Sequence, residues 1–124
     1  MNKGAGVISQ WLDCKETIQQ YDWFVHFEPR LLLYDYAFLN SIIRNPRNVF
    51  TSHEDYYNTG LFCIKSDMLL KFSLGINLNI LKKSYTCIER LIKKFLEKYK
   101  HDIFSHTGAI RHNPYDNTWV IRTM

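Results

Sequence analysis

The sequence predicts an α/β fold in which short apolar strands alternate with amphipathic helices. The segment Trp23–Phe27 is largely apolar on both faces, which is typical of a strand buried inside a parallel sheet. Residues 61–64 form a second apolar strand, and the segments between have apolar residues at helical spacing. With 124 residues, 46% of them hydrophobic, we expect a single domain with one core.

The first elements are predicted to be a loop, a helix and a strand. Residues 2–6 contain two glycines, which favour a loop, and Val7, Trp11, Cys14 and Ile18 then recur at helical spacing over residues 7–20. The strand Trp23–Phe27 follows, and Pro29 ends it because proline cannot donate to a sheet ladder.

The middle of the chain is predicted to contain two helices separated by a loop and a strand. Residues 31–33 continue as a short strand or loop, and a helix over residues 35–44 ends at Asn45-Pro46. Residues 49–58 are polar and aromatic without a clear period, so we expect a loop. After the strand at 61–64, Ser66 has the character of a helix N-cap.

The last third is predicted to be one long basic helix followed by an irregular segment. Glycine and asparagine at residues 75–79 interrupt the chain, and Tyr85, Ile88, Ile92, Phe95 and Tyr99 then form one apolar stripe. Residues 118–121 are predicted to add a late strand.

The net charge of +4 has a local origin. Seven basic residues between Lys82 and Lys100, against Glu89 and Glu97, carry a local net charge of +5: Lys82, Lys83, Arg90, Lys93, Lys94, Lys98 and Lys100. A solvated face is one interpretation of this helix. Peripheral contact with an anionic membrane and contact with nucleic acid are two others.

Membrane-spanning and disulfide-stabilised proteins are classes that the composition does not favour. No run approaches the roughly 18 to 20 apolar residues of a membrane span, and the N-terminus lacks the features of a signal peptide. Cys14, Cys63 and Cys87 are odd in number and flanked by apolar residues, so we expect reduced core thiols. These observations predict a cytoplasmic protein, with contact at the inner face of the membrane as an addition.

The end of the first strand carries the strongest functional signal. His26, Glu28 and Arg30 follow one another at alternate positions where the apolar strand stops. Ligands of open α/β sheets bind at the carboxyl ends of strands, so these groups are placed to meet a charged substrate or a metal. A solvated strand end, with Glu28 paired to Arg30, is the alternative.

With these residues in order, the chain resembles the GT-A-type nucleotide-sugar glycosyltransferases that build bacterial surface polysaccharides. Asn2, Gly4 and Gly6 stand where that family has its Asn-x-Gly-x-Gly-like loop, and His26-Phe27-Glu28 stands where it has an Asp-x-Asp motif. The strand from Asn58 to Lys65 is similar to the family's acceptor-side strand.

The resemblance implies a partial GT-A-like, Rossmann-related mixed sheet with helices on its faces and with the N-terminal βαβ nucleotide-binding unit absent. The 124 residues would then be the C-terminal half of a glycosyltransferase domain, as a fragment, a truncated product or a stand-alone relic. The implied reaction moves a sugar from a nucleotide-sugar donor to a saccharide or lipid-linked acceptor.

The resemblance also assigns roles to residues. Glu28, Arg30, Asn2 and Gly4 would bind the donor diphosphate, and Asn58, Thr59 and Gly60 the acceptor. Glu54 and Asp55 are the candidate catalytic bases, with Asp67 as a further carboxylate whose simpler role is in a helix first turn. His26, Glu28 and His112 could hold Mn²⁺ or Mg²⁺ if they converge, whereas Arg30 offers a metal-free way to neutralise the leaving diphosphate.

Two other classes of function remain open at this point. A small basic module that binds nucleic acid through Lys82 to Lys100 is disfavoured, because the sequence has no recognisable nucleic-acid-binding motif. A non-catalytic interaction protein that docks through an exposed sheet edge is the third hypothesis.

Overall fold

The protein is a mixed α/β structure, seen in a computed structural model that describes residues 2–53, 55–113 and 118–121. The strands are β1 (Trp23–Phe27), β2 (Leu31–Leu33), β3 (Val49–His53), β4 (Tyr56–Tyr57), β5 (Leu61–Lys65), β6 (Asp102–Phe104), β7 (Ala109–Asn113) and β8 (Thr118–Ile121). The helices are α1 (Lys3–Asp13), α2 (Lys15–Ile18), α3 (Ala37–Arg44), α4 (Ser66–Leu74), α5 (Leu78–Lys82) and α6 (Ile88–Leu96).

The central sheet is mixed, as the predicted α/β class requires. Within the described residues its strand order is β1-β5-β3-β4, with β6 parallel to β3 and the β1–β5 and β3–β5 pairs antiparallel. A smaller antiparallel sheet has the order β2-β7-β8.

Both faces of the central sheet are covered, and strand β5 shows why. Phe62 and Ile64 point to one face, where they pack with α1, α4, α5 and α6, and Leu61 and Cys63 point to the other, where they pack with α3 and β2. All four side chains are fully buried. The β5 sequence is therefore apolar without alternation, as expected of a strand between two layers.

Strand β1 corrects the prediction of a doubly buried strand in a parallel sheet. It pairs antiparallel with β5, in a register that places Val25 opposite Cys63. Val25 and Phe27 are each 42% exposed, because β1 lies at the edge of the sheet in the described part of the chain. An apolar edge strand has the same composition as a central strand, so composition alone did not separate the two.

The glycine-containing segment at residues 2–6 is helical, so the predicted loop is wrong. Helix α1 starts at Lys3, and Asn2 is its N-cap, accepting a hydrogen bond from the Ala5 N–H at 3.3 Å. Gly4 is buried against Ile88, and a Cβ added to Gly4 would lie 2.9 Å from the Ile88 Cβ. Close helix packing, rather than a loop conformation, explains this glycine.

Residues 49–58 form a hairpin rather than the predicted loop. Val49 pairs with Cys63, and a continued register would bring Ser52 opposite Gly60; Ser52 faces Tyr57 instead. Residues 58–60 therefore bulge out of the ladder. β-Bulges redirect side chains near functional sites, and this one faces the cleft described below.

The predicted long helix over residues 82–100 is wrong in its bounds: its helix, α6, covers only residues 88–96, and α5 (Leu78–Lys82) begins inside the segment at 75–79 that was predicted to interrupt the chain. Ser84 to Cys87 connect them, and Tyr85, which was predicted to lie on the apolar stripe, is fully exposed. Ile88 and Ile92 are buried as predicted. Asn77 is the N-cap of α5 and accepts a hydrogen bond from the Ile80 N–H at 3.2 Å. This cap, rather than the apolar stripe, indicates where α5 begins.

Several other predictions are confirmed. Helix α3, strand β5 and strand β8 lie within a few residues of their expected bounds, and residues 31–33 form β2.

Two predictions are corrected in detail. Helix α4 begins at Ser66, although Lys65 occupies the N-cap position. Cys63 is a buried free thiol, whereas Cys14 is exposed and so is not the core residue expected.

The longest helix in the described ranges, α1, has 11 residues. None of the helices there has the length and apolar character that a bilayer crossing requires.

Candidate functional site

A cleft of about 890 Å³ lies at the carboxyl end of β1. Four chain segments line it, residues 2–4, 28–31, 58–60 and 82–89, together with Val7, Gln10, His26 and Tyr56. Every residue predicted to bind the donor diphosphate or the acceptor is among these lining residues. We refer to this surface as the cleft.

Glu28 and Arg30 form an ion pair on one wall of the cleft. The Arg30 Nε and Nη2 groups both donate to Glu28 Oε1, at 2.9 and 2.5 Å. The two side chains are 31% and 40% exposed, so the pair is held at the surface of the wall with Arg30 still accessible. The Glu28 backbone is held in place because its N–H donates to the Gly60 carbonyl at 2.7 Å.

His26 lies deeper and is surrounded by aromatic rings. It stacks on Phe62 with ring centroids 5.4 Å apart and meets Trp11 edge to face at 5.6 Å. Burial lowers the pKa of His26 below its ordinary value, and the nearby Glu28 carboxylate offsets part of this shift. The lowered pKa favours the neutral imidazole, and His26 is a partly buried residue that lines the cleft.

The bulge at residues 58–60 lies directly beside Glu28, whose N–H donates to the Gly60 carbonyl. Asn58 is buried; its Oδ1 accepts from the Gly60 N–H at 2.9 Å and its backbone N–H donates to Thr51 at 2.9 Å. An added Cβ on Gly60 would approach Leu31 Cδ1 to 2.9 Å. Asn58 and Gly60 thus set the shape of the wall, and Thr59 presents a side chain to the cleft.

Asn2 and Gly4 lie on the cleft wall in structural roles. The Asn2 amide donates to the carbonyls of Ser84 at 3.1 Å and Thr86 at 2.8 Å, so it fastens the α5–α6 connection to the start of α1. Since its Oδ1 caps α1, both ends of this side chain are engaged. The two residues position two helix N-termini beside each other.

Those helix N-termini give the cleft a positive electrostatic character. Helix α6 has no side-chain cap at Cys87, and first-turn N–H groups of a helix have no acceptor within it. The N-terminal ends of α1 and α6 both carry partial positive charge. Among the described lining residues, Lys3, Arg30, Lys82 and Lys83 add cations, against Glu28 and Glu89.

Of the described residues predicted to be catalytic or to bind a metal, His26 and Glu28 line the cleft and Asp55 does not. Asp55 is an exposed residue of the β3–β4 turn that pairs with Arg90 at 3.5 Å and does not line the cleft. Asp67 is in the first turn of α4, as its simpler role predicted. Glu54 lies outside the described residues. The backbone of His112 is in β7, and its side chain lies outside the described part.

Glu89 is the cleft carboxylate that the sequence did not single out. Its Oε1 accepts a hydrogen bond from Thr59 Oγ1 at 3.0 Å, and it lies in the first turn of α6. The sequence signal was weak, because Thr59 lies 30 residues earlier and the start of α6 was not recognised.

The described part of the proposed metal-ligand set fits an ion pair better than a metal site. Glu28 Oε1 receives two hydrogen bonds from Arg30, and His26 is packed among rings. No group of three His, Cys, Asp or Glu side chains suited to a metal occurs within the described ranges. We therefore assign no step to a metal ion.

The basic residues of α6 do not line the cleft, whereas Lys82 and Lys83, which precede this helix, do. Lys93 donates to the Asp55 carbonyl at 3.1 Å and lies 5.6 Å from the Tyr57 ring centroid, and Arg90 pairs with Asp55. Lys94, Lys98 and Lys100 are exposed. Membrane or nucleic-acid contact through Lys82 to Lys100 stays a prediction.

Comparison with known proteins gave no match: no family model fits the chain, and neither a curated protein nor a solved structure is significantly similar to it.

Proposed function

We propose that the chain binds the diphosphate of a nucleotide-sugar donor in the cleft and belongs to a GT-A-like glycosyltransferase as its acceptor-side half. One observation carries the proposal. The residues predicted to bind the donor diphosphate, Asn2, Gly4, Glu28 and Arg30, line the same cleft as residues 58–60, which were predicted to bind the acceptor, although they are far apart along the chain.

The chemistry of the cleft supports binding of a polyanion. A diphosphate is stabilised by helix N-termini and by guanidinium groups, which make paired hydrogen bonds to phosphate oxygens. The cleft supplies the starts of α1 and α6 together with Arg30, and Lys82 and Lys83 border it. In this proposal the set would take the place of the Asp-x-Asp motif and metal of the GT-A-type enzymes that the sequence resembles.

The proton acceptor in this proposal is Glu89 rather than Glu54 or Asp55. An acceptor hydroxyl would attack the anomeric carbon, the bond from that carbon to the diphosphate oxygen would break, and a carboxylate would take the hydroxyl proton. Glu89 borders the cleft and has one oxygen engaged by Thr59, whereas Asp55 faces Arg90 outside it. Arg30 would stabilise the departing diphosphate.

A binding panel tests the proposal. We expect a nucleoside diphosphate to raise the melting temperature of the chain without added metal, since a ligand that binds only the folded state stabilises it. Uridine, guanosine and cytidine diphosphates and their sugar conjugates make a suitable panel, with the nucleosides as controls.

Arg30→Gln and Arg90→Gln form a matched pair for this test. Each arginine pairs with one carboxylate at the surface, Arg30 with Glu28 in the cleft and Arg90 with Asp55 outside it. We expect Arg30→Gln to weaken diphosphate binding roughly tenfold, the loss of one charge-assisted bidentate contact, and Arg90→Gln to leave it unchanged. Equal effects of the two substitutions would contradict the proposal.

A second candidate function, interaction through the sheet edge, draws support from β1. In the antiparallel register with β5, the N–H and C=O groups of Phe24, His26 and Glu28 point to β5, so those of Trp23, Val25 and Phe27 point outward. Val25→Lys on this edge would abolish any strand-mediated association, seen as a lower mass by light scattering. An unchanged mass would remove this candidate.

A further inference from the structure

A second cavity, of about 650 Å³, lies at the opposite end of β1 from the cleft. Its walls come from the end of α1, from α2, from the residues before β1, and from the start of α4. None of its lining residues borders the cleft, so the two are separate in the described residues.

The chemistry of this cavity is divided between an apolar wall and a positively charged end. Leu12, Leu70 and Leu74 form the apolar wall with Tyr21, and Leu74 is 68% exposed. Lysines 15, 65 and 71 lie on the rim, against Asp22 and Asp67. The Lys71 ammonium is near the Tyr99 ring at 5.5 Å, whereas Lys15 and Lys65 are exposed.

Ser66 is the feature that points to a ligand. It lines the cavity, is only 3% exposed, and its Oγ has no hydrogen-bond partner among the described residues. Buried polar groups without partners are rare in folded proteins, and each requires an explanation. Ser66 is also the first residue of the nine-residue helix α4, whose N-cap Lys65 provides no side-chain cap.

We propose that this cavity binds an amphipathic anion, a phosphate monoester with an apolar chain. The Ser66 N–H donates to the Asp22 carbonyl at 2.9 Å, so the phosphate would accept hydrogen bonds from the Ser66 hydroxyl and from the Asp67 and Met68 N–H groups of the α4 first turn, where the helix dipole favours an anion. Lys15 and Lys65 would neutralise its charge, and the chain would lie on Leu12, Leu70 and Leu74. The negative charge of the Asp67 carboxylate disfavours a highly charged ligand, so a phosphate monoester fits the site better than a polyanion.

Titration of the full chain with hexyl phosphate, followed by amide NMR shifts, tests this inference. We expect saturable shifts at Ser66, Asp67 and Met68, and an affinity roughly tenfold above that for inorganic phosphate or hexanol, because both halves of the ligand are used. Shifts confined to the cleft, or inorganic phosphate binding as tightly as hexyl phosphate, would overturn it.

Substitutions on the rim and wall locate the site. Ser66→Ala and Lys15→Gln should each weaken hexyl phosphate binding several-fold, and Lys98→Gln, an exposed lysine outside both cavities, should not. Ser66→Ala removes an unsatisfied hydroxyl, so we expect it to fold normally. Equal affinities in all three variants would contradict the assignment.

Vesicles separate the two sources of such a ligand. Retention of the chain on phosphatidic acid vesicles, lost in Ser66→Ala, would identify a lipid headgroup, and hexyl phosphate binding without retention would identify a free metabolite. The absence of both would overturn the inference and would leave the proposed function of the cleft untouched.

Discussion

The bulge at residues 58–60 and the turn at Asp55 are two parts of one hairpin, and both were expected to be functional. In the bulge, Asn58 is buried, and Thr59 and Gly60 are bonded to residues at distant positions in the chain, Glu89 and Glu28. In the turn, the Asp55 side chain is 66% exposed, pairs with Arg90 at 3.5 Å, and lies outside the cleft, although its carbonyl accepts a hydrogen bond from Lys93. The comparison teaches that a polar loop contributes to a site when other elements close around it.

The largest effect should come from filling the space that Gly60 leaves. Gly60→Val places a side chain against Leu31, which is 3% exposed, and against Asn58 Oδ1 at 3.2 Å. We expect a loss of about 3 kcal/mol in the free energy of unfolding, the upper end for overpacking a core. Urea denaturation measures it. A loss as small as that of an average surface substitution would show that the wall is not closely packed.

The next largest effect should come from Asn58. Asn58→Ala leaves the buried Gly60 N–H without its acceptor, which costs about 2 kcal/mol of stability. Asp55→Ala in the same hairpin is the matched control and should change stability by less than about 0.5 kcal/mol. Comparable losses in the two variants would erase the distinction between bulge and turn.

Two glycines in helix α1 allow a test with a smaller effect, in which the two substitutions should change stability in opposite directions. Gly4→Ala brings a Cβ to 2.9 Å from the Ile88 Cβ and should cost about 1 kcal/mol, because the starts of α1 and α6 must separate. Gly6→Ala meets nothing within 4 Å and should stabilise the helix by about 0.5 to 1 kcal/mol. Thermal unfolding of both variants decides this, and a stabilising Gly4→Ala would be inconsistent with the close contact.

The smallest effect concerns the pH dependence of stability. Because burial lowers the pKa of His26 in the folded state, the unfolded chain takes up the proton first as the pH falls below the ordinary value of 6.5. Stability contributed by neutral His26 is present above pH 6.5 and is lost below it. His26→Phe, which keeps a ring against Phe62, should flatten the denaturation profile as the pH falls below 6.5. An unchanged slope would assign the pH dependence to other groups.

The fold class and several elements could be predicted because they depend on local pattern. Helix α3 has apolar residues at helical spacing and a proline after its end, and the apolar run in β5 has the length of a buried strand. The cleft residues His26, Glu28 and Arg30 were found because a polar cluster follows an apolar strand.

Other features could not be predicted because they depend on distant contacts. Gly4 has the sequence character of a loop residue, and only Ile88, which lies 84 positions later, explains it as a packing residue. Glu89 acquires its place in the cleft from Thr59, and the edge position of β1 follows from its pairing with β5 alone in the described sheet. The position of Asp55 outside the cleft also depends on tertiary packing, which its polar sequence context does not reveal.

The central claim is that the cleft binds a diphosphate between the starts of α1 and α6. The most direct test of this claim is to titrate the protein with a nucleoside diphosphate in Mg²⁺-free buffer and to follow the amide NMR shifts. We predict saturable shifts at Gly4, Thr59, Ile88 and Glu89, with none at Asp55. Shifts at Lys94 and Lys98 that disappear with added salt, and none in the cleft, would contradict the claim and favour a basic binding surface instead.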